Sequence, residues 1–162
     1  MVENLGIAEL LINSFEPKRQ NTWYLEIDGL DAWTMRTAAR PNWSHDETLI
    51  EYLNIKRYFA GKVTYSPITI ALNDPIAPSA AQKVLEWARL CHEANTGRSG
   101  YAQMYKKDIT LKMLGPIGDL VESWTLHGAW VQSIDFGGLD YASSEVATCT
   151  LVIRFDWPSL DF

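Results

Sequence analysis

The three histidines and two cysteines are the side chains best suited to binding a metal, and their spacing argues against it. None of His45, His92 and His127 lies two to five residues from another histidine or from a cysteine. Structural zinc sites usually place their ligands at such short intervals. Cys91 and His92 are adjacent on a predicted helix, where neighbouring side chains point in different directions. We therefore predict no metal site and no cofactor.

Glycine and acidic residues also fail to form a nucleotide-binding or catalytic pattern. Residues 97–100 (GRSG) follow a predicted helix, whereas the anion-binding end of a helix is its N-terminus. Carboxylate pairs such as Asp46 with Glu47, or Asp135 with Asp140, occur in any acidic protein, and nothing near them predicts a perturbed pKa. The sequence has no Walker loop, dinucleotide fingerprint or serine nucleophile elbow. We predict that the protein is not an enzyme.

Composition indicates an acidic chain with one domain over residues 1–162 and a formal net charge of -6. Such a protein does not grip a phosphate backbone by counterion release, although it can surround DNA. Seven Trp, seven Tyr and five Phe suit a β-rich core or large interfaces. The two cysteines are far apart, no basic leader opens the chain and no apolar run is long enough to span a membrane. We expect cytosolic synthesis and no membrane partner.

Strands predominate in the predicted secondary structure, because apolar and polar residues alternate in most segments. The predicted strands are residues 23–27, 32–39, 68–72, 109–113, 124–130 and 147–155. Residues 45–58 mix two periods, and we interpret them as part of a long hairpin, with Gly61 at a turn. Residues 1–21 are predicted to be an N-terminal arm. The pattern favours a mainly β fold, a β-sandwich or partly open barrel, with one helix packed against it.

That helix is predicted over residues 79–94. Ser79 and Gln82 have the spacing of a capping box, and Gly97 supplies a stop signal. The expected buried stripe consists of Ala81, Val84, Leu85, Ala88, Cys91 and His92, widened by Trp87, Leu90 and Ala94. Residues 98–105 are interpreted as a loop. On the strand that follows the next turn, Trp124, Leu126 and Trp130 are expected to share one face.

An ordered series of short motifs resembles the tail tube protein family of contractile-tailed phages. The segments are residues 60–70 (AGKVTYSPITI), 73–74 (ND), 83–87 (KVLEW), 105–107 (YKK), 126–131 (LHGAWV), 134–137 (IDFG), 140–146 (DYASSEV) and 155–157 (FDW). Val131 stands where the family usually has proline, and the N-terminal third resembles the family only at residues 21–27. The shared order of the segments, more than any one of them, carries the resemblance.

The resemblance implies a structural subunit of the inner tail tube, which stacks as hexameric rings into a conduit for DNA delivery. The inner strands of six subunits would join in one β-barrel, and closure would remove exposed sheet edges. Implied partners are further copies of the chain and the tail sheath, baseplate and tape-measure proteins, while genomic DNA passes through without specific binding. The implied location is the virion tail, assembled in the host cytoplasm.

A tube that lets DNA slide needs a wall without many phosphate contacts, and acidic or small polar side chains meet that need. We therefore expect Glu47 and Glu51, on the presumed hairpin, to face the lumen. Thr148 and Thr150, opposite the apolar residues of the last strand, are expected there too. Alternatives within the same fold are a contractile injection system tube that carries protein cargo, and a baseplate or terminator protein. A small β-barrel enzyme or ligand-binding protein is the alternative from another class.

Overall fold

The computed structural model describes residues 16–162, so most of the arm predicted at residues 1–21 lies outside the described residues. The strands are β1 (Trp23–Glu26), β2 (Met35–Thr37), β3 (Trp43–Tyr52), β4 (Ile55–Tyr65), β5 (Ile68–Asn73), β6 (His92–Glu93), β7 (Arg98–Ser99), β8 (Lys107–Leu114), β9 (Leu120–Asp135), β10 (Thr148–Arg154) and β11 (Trp157–Leu160). Helix α1 spans Ala80–Cys91, α2 spans Ala102–Tyr105, and a 3-10 turn covers Ala32–Thr34.

Seven strands form one antiparallel sheet in the order β1-β8-β9-β10-β5-β2, with β11 added beside β9. Strand β9 is long enough to serve both halves of this sheet. Its first part pairs with β8 and β11, and its last part pairs with β10. The sheet curls around one apolar core as a partly open barrel, which confirms the predicted mainly β class with a packed helix.

Alternation along the central strands builds the core as the sequence predicts. Buried side chains recur at every second position, and these are Ile68, Ile70 and Leu72 on β5, Ile109 and Leu111 on β8, and Cys149, Leu151 and Ile153 on β10. Each fully buried aliphatic side chain contributes about 1.5–3 kcal/mol relative to its exposed state. The predicted inward face of the last strand is thereby confirmed over β10.

Helix α1 begins as predicted but buries only part of the predicted stripe. The Ser79 hydroxyl accepts a hydrogen bond from the Gln82 amide at 3.4 Å, whereas the helix ends at Cys91, earlier than predicted. Val84 and Trp87 are buried, and Leu85 is 39% exposed, so the prediction that Leu85 belongs to the core was wrong. The Trp87 indole donates to the Tyr105 carbonyl at 2.7 Å. Because this large ring packs against the sheet, the side of the helix that carries Leu85 faces away from the core.

Two other segments also differ from the sequence prediction. Residues 32–39 hold a 3-10 turn followed by the short β2, because Thr34 is buried with its hydroxyl donating to the Asp31 carbonyl at 2.7 Å. Such local side-chain bonds to the backbone compete with strand formation. Residues 98–105, expected to be a loop, contain β7 and α2.

Trp130 lies on the opposite face of β9 from the one predicted. Gly128 has φ +64°, and β9 carries an extra residue between the pairs that match Lys107 with Ala129 and Ile109 with Leu126. This bulge shifts the alternation by one position, so that Leu126 and Ala129 are both buried. The Trp130 ring instead meets Tyr105, with ring centroids 6.5 Å apart.

Replacing Gly128 with alanine is expected to lower the free energy of unfolding by about 2–3 kcal/mol, measured by urea denaturation. The left-handed backbone is strained for any residue with a Cβ. A Cβ there would also collide with the Asp156 carboxylate, which binds Lys106 at 2.9 Å. The control Gly138→Ala has open space around it and should cost far less. Equal costs for the two variants would contradict the strain at Gly128.

Candidate assembly surfaces and lumen face

A long two-stranded ribbon, β3 with β4, extends from the barrel and is not part of its sheet. The predicted long hairpin is therefore confirmed, but Gly61 does not mark its turn. The strands meet at Leu53, which has φ 54°, and Gly61 lies inside β4, at a bulge where β4 carries an extra residue opposite Asp46. A Cβ at Gly61 would lie 2.9 Å from the Asp46 carbonyl oxygen, and glycine lets the strands approach there.

Both faces of this ribbon expose apolar side chains. Residues that pair across two antiparallel strands share a face. One face holds Glu47, Leu49, Glu51, Lys56, Tyr58 and Ala60, and the other holds Thr48, Ile50, Tyr52, Ile55, Arg57 and Phe59. Leu53 at the tip is 86% exposed and Tyr52 is 73% exposed. An isolated hairpin is marginally stable in water, and an exposed apolar patch on this scale marks an interaction surface.

The base of the ribbon is seated on the barrel by aromatic rings. Trp43 contacts both Tyr65 and Trp124 with centroids 6.3 Å apart, and Tyr65 contacts Phe155 at 6.2 Å. The Asn42 carbonyl accepts a hydrogen bond from the Ser66 amide at 3.1 Å, just before the strands begin to pair. The ribbon thus has a fixed base and a projecting tip.

Where β5, β10 and the C-terminal end of β9 pair, the face of the sheet that points away from the core carries mostly small side chains. It consists of Thr69, Ala71 and Asn73 on β5, Thr148, Thr150 and Val152 on β10, and Ser133 and Asp135 on β9, which are joined by direct pairing across the strands. We name this set the small polar face. All of its members are half-buried or exposed, and Asp135 is the one charged residue among them. Arg154 lies next along the same side of β10, at the end of the strand.

The four residues predicted to face the lumen fall into two groups. Thr148 and Thr150 lie together on the small polar face, on the side of β10 opposite the core. Glu47 and Glu51 lie together on one face of the ribbon, where Glu51 is 3.6 Å from Lys56. Sequence reasoning missed Asp135 as a member of the first group. Asp135 follows Ile134, which packs against the core, so alternation along the strand predicts that Asp135 points to the opposite face.

The two ends of β9 carry further exposed apolar side chains. Beyond its C-terminal end, residues 136–147 expose Leu139, Tyr141 and Val146. Before its N-terminal end, the turn at residues 115–119 exposes Ile117 at 91%. Exposed apolar groups at opposite ends of one strand are the arrangement that head-to-tail stacking of copies would use.

No catalytic constellation accompanies these surfaces in residues 16–162. Burial raises the pKa of the Cys149 thiol, and the Asp74 and Asp135 carboxylates raise it further, so this thiol stays protonated and unreactive. An open groove of about 400 Å³ between β1 and β2 is floored by Leu111 and Met113 and offers no paired acid and base. Within the described part of the chain, no cluster of three or more His, Cys, Asp or Glu side chains is placed to hold a metal ion, and no helix has the length and apolar character of a membrane span.

Solved structures of contractile injection machines share this fold. The tube-terminating cap of the anti-feeding prophage is 17% identical, with 93% of this chain and 94% of that chain covered and a TM-score of 0.75. The sheath/tube terminator of the extracellular contractile injection system PVC is 15% identical, with 92% and 99% covered and a TM-score of 0.75. The PVC sheath-tube complex supplies a chain that is 14% identical, with 97% and 98% covered and a TM-score of 0.72. The chain therefore shares its fold with these three proteins.

The family model of the T4-like virus tail tube protein gp19 matches residues 26–157. The chain belongs to this tail tube protein family. The resemblance inferred from the ordered motifs is thereby confirmed, and with it the assignment to tail tube proteins. No curated protein matches the chain at a significant level.

Proposed function

We propose that the protein forms the inner tube of a contractile machine, as hexameric rings that stack head to tail. Membership of the tail tube family is the observation that carries this proposal. The apolar ribbon supports it, because a ribbon exposed on both faces needs a neighbouring subunit to cover it. The end strands β1 and β2 each have an edge without a partner strand in the described sheet, and a neighbour in the ring would cover those edges.

A sheath and a baseplate would be the protein's partners, because chains that share its fold occur in a sheath-tube complex and in a baseplate. We extend the proposal to a tape-measure protein in the lumen, to assembly in the host cytoplasm and to a purely structural role without catalysis. The cargo is DNA in a phage tail, or protein in an injection system. The charge-poor small polar face suits passage of either, because it offers few groups on which cargo could be held.

A tube terminator is the second candidate, because a terminating cap and a sheath/tube terminator share this fold over nearly the whole chain. A terminator would form single rings or caps on existing tubes, and it would not grow into tubes alone. Electron microscopy of the purified protein at increasing concentration separates the two. Long tubes support the tube subunit, and isolated rings at every concentration support the terminator.

We propose that the small polar face lines the lumen, with Thr148 and Thr150 at its centre. In that position the six-fold ring would repeat each side chain around the channel. The proposal extends to Glu47 and Glu51, which share one ribbon face and would add carboxylates to the wall if that face turned toward the axis. A wall of this kind repels a polyanion or does not bind it.

Replacing Thr150 with lysine tests the lumen assignment. Each ring would then place a basic residue from every subunit on the channel wall, and tubes should retain short duplex DNA in a salt-dependent manner. We expect at least about tenfold more DNA to co-sediment with these tubes at low salt than with wild-type tubes. The control Thr96→Lys adds the same charge at an exposed turn that follows α1. Equal retention by the two variants would contradict a lumenal Thr150.

A further inference from the structure

A buried carboxylate lies where the N-terminal segment meets the base of the ribbon. Glu122 on β9 is 6% exposed and lies on the same side of the strand as the core residue Leu126. Burying a carboxylate is costly unless its charge is paired and its oxygens accept hydrogen bonds. The partners of this one come from three separate parts of the chain.

Both oxygens of Glu122 are engaged. The Lys18 ammonium donates to Oε2 at 2.5 Å, the Arg40 guanidinium lies 3.6 Å from Oε1, and the Trp124 indole donates to Oε1. Burial on its own would raise the pKa of Glu122, but the bonds from Lys18 and Trp124 and the charge of Arg40 hold that pKa below its usual range. The Glu122 carboxylate is therefore charged at neutral pH and attracts the Lys18 and Arg40 side chains.

The partners of Glu122 lie at the base of the ribbon or in the N-terminal segment. Arg40 lies just before Trp43, the first residue of the ribbon. Trp124, oriented by its bond to Glu122, contacts the Trp43 ring at 6.3 Å. Lys18 lies in the segment that connects β1 to the N-terminal residues. One carboxylate thus ties this segment to the base of the ribbon.

We propose that Glu122 positions the ribbon and the N-terminal segment for assembly. This inference rests on the proposed function, in which the ribbon contacts neighbouring subunits. Strand β3 has 10 residues, so the ribbon is about 30 Å long, and a small rotation at its base moves the tip by several ångströms. A base held by charged hydrogen bonds presents the tip in one orientation before contact, which lowers the entropy lost on docking.

The variant Glu122→Gln keeps the size of the side chain and an oxygen that Trp124 can bond, but it removes the charge that holds Lys18 and Arg40. We expect the critical concentration for tube assembly to rise about tenfold, which corresponds to the loss of roughly one charged hydrogen bond. In the unassembled protein, trypsin should cleave after Arg19 about tenfold faster, because the released segment opens more often. Mass spectrometry identifies the fragment that begins at Gln20.

A matched control is Glu93→Gln, which removes a carboxylate that accepts from the Thr96 hydroxyl far from the ribbon base. It should leave both readouts unchanged. If Glu122→Gln fails to fold, Lys18→Ala replaces it, since the Lys18 side chain is half exposed, and faster cleavage after Arg19 is again expected. Wild-type cleavage and assembly in these variants would overturn the positioning role. A wild-type protein that never forms rings or tubes would instead contradict the proposed function, and the cleavage rate would still decide whether Glu122 holds the segment.

Discussion

Replacing Val84 with aspartate is expected to prevent folding. Val84 is fully buried, and the buried residues that cluster with it are apolar. An unpaired buried charge costs several kcal/mol, roughly 4 or more, against a total stability of about 5–15 kcal/mol for an ordinary domain. Soluble yield and the thermal unfolding transition followed by circular dichroism measure the effect.

The neighbouring variant Leu85→Asp is the control, and it is expected to fold. Leu85 lies on the other side of α1 and is 39% exposed, so its carboxylate would reach water. The destabilisation should stay near 1 kcal/mol, the common size for a partly exposed site. A stable Val84→Asp would contradict the packing of α1 through Val84, and an unfolded Leu85→Asp would show that Leu85 belongs to the core, as the sequence predicts.

Placing glutamates on the ribbon is expected to abolish tube formation without unfolding the subunit. Ile50 and Phe59 are diagonal neighbours on one ribbon face and are each about half exposed. In the double variant Ile50→Glu, Phe59→Glu, each subunit contact loses apolar burial of about 1.5–3 kcal/mol per side chain. A loss of about 3 kcal/mol raises the critical concentration roughly 100-fold, as measured by sedimentation of tubes.

Ile76→Glu serves as the control for a charge added at an exposed apolar position. Ile76 is fully exposed in the loop before α1 and lies away from the ribbon. Thermal unfolding should be the same for wild type, control and double variant, because the ribbon contributes little to the core. Normal tube growth by the double variant would rule out the ribbon as an assembly contact.

Alternation of side chains could predict the barrel strands because their two environments differ sharply. The sequences around Ile70, Leu111 and Leu151 place an apolar residue at every second position, and these three residues are buried. The pattern failed where a local geometry intervened. The bulge at Gly128 places Trp130 on the other face of β9. The buried Trp87, held by its hydrogen bond, determines which side of α1 packs on the sheet. Neither the bulge nor the hydrogen bond produces a periodic pattern that can be recognised in the sequence.

The candidate surfaces were predicted only in part. Residues 45–58 mix two periods and were interpreted as part of a long hairpin, which the structure confirms, but the turn predicted at Gly61 lies at Leu53. Thr148 and Thr150 follow directly from alternation. Glu122 is a different case, since its partners Lys18 and Arg40 are distant in sequence and only the folded chain brings them together.

A cryo-EM reconstruction of the assembly formed by the purified protein tests the proposed tube most directly. The expected result is a stack of hexameric rings in which the ribbon of each subunit contacts its neighbours and Thr150 faces the channel. That map would also show whether Glu47 and Glu51 reach the wall. A protein that stays monomeric at high concentration, or a tube whose channel is lined by another face while the small polar face lies outside, would contradict it.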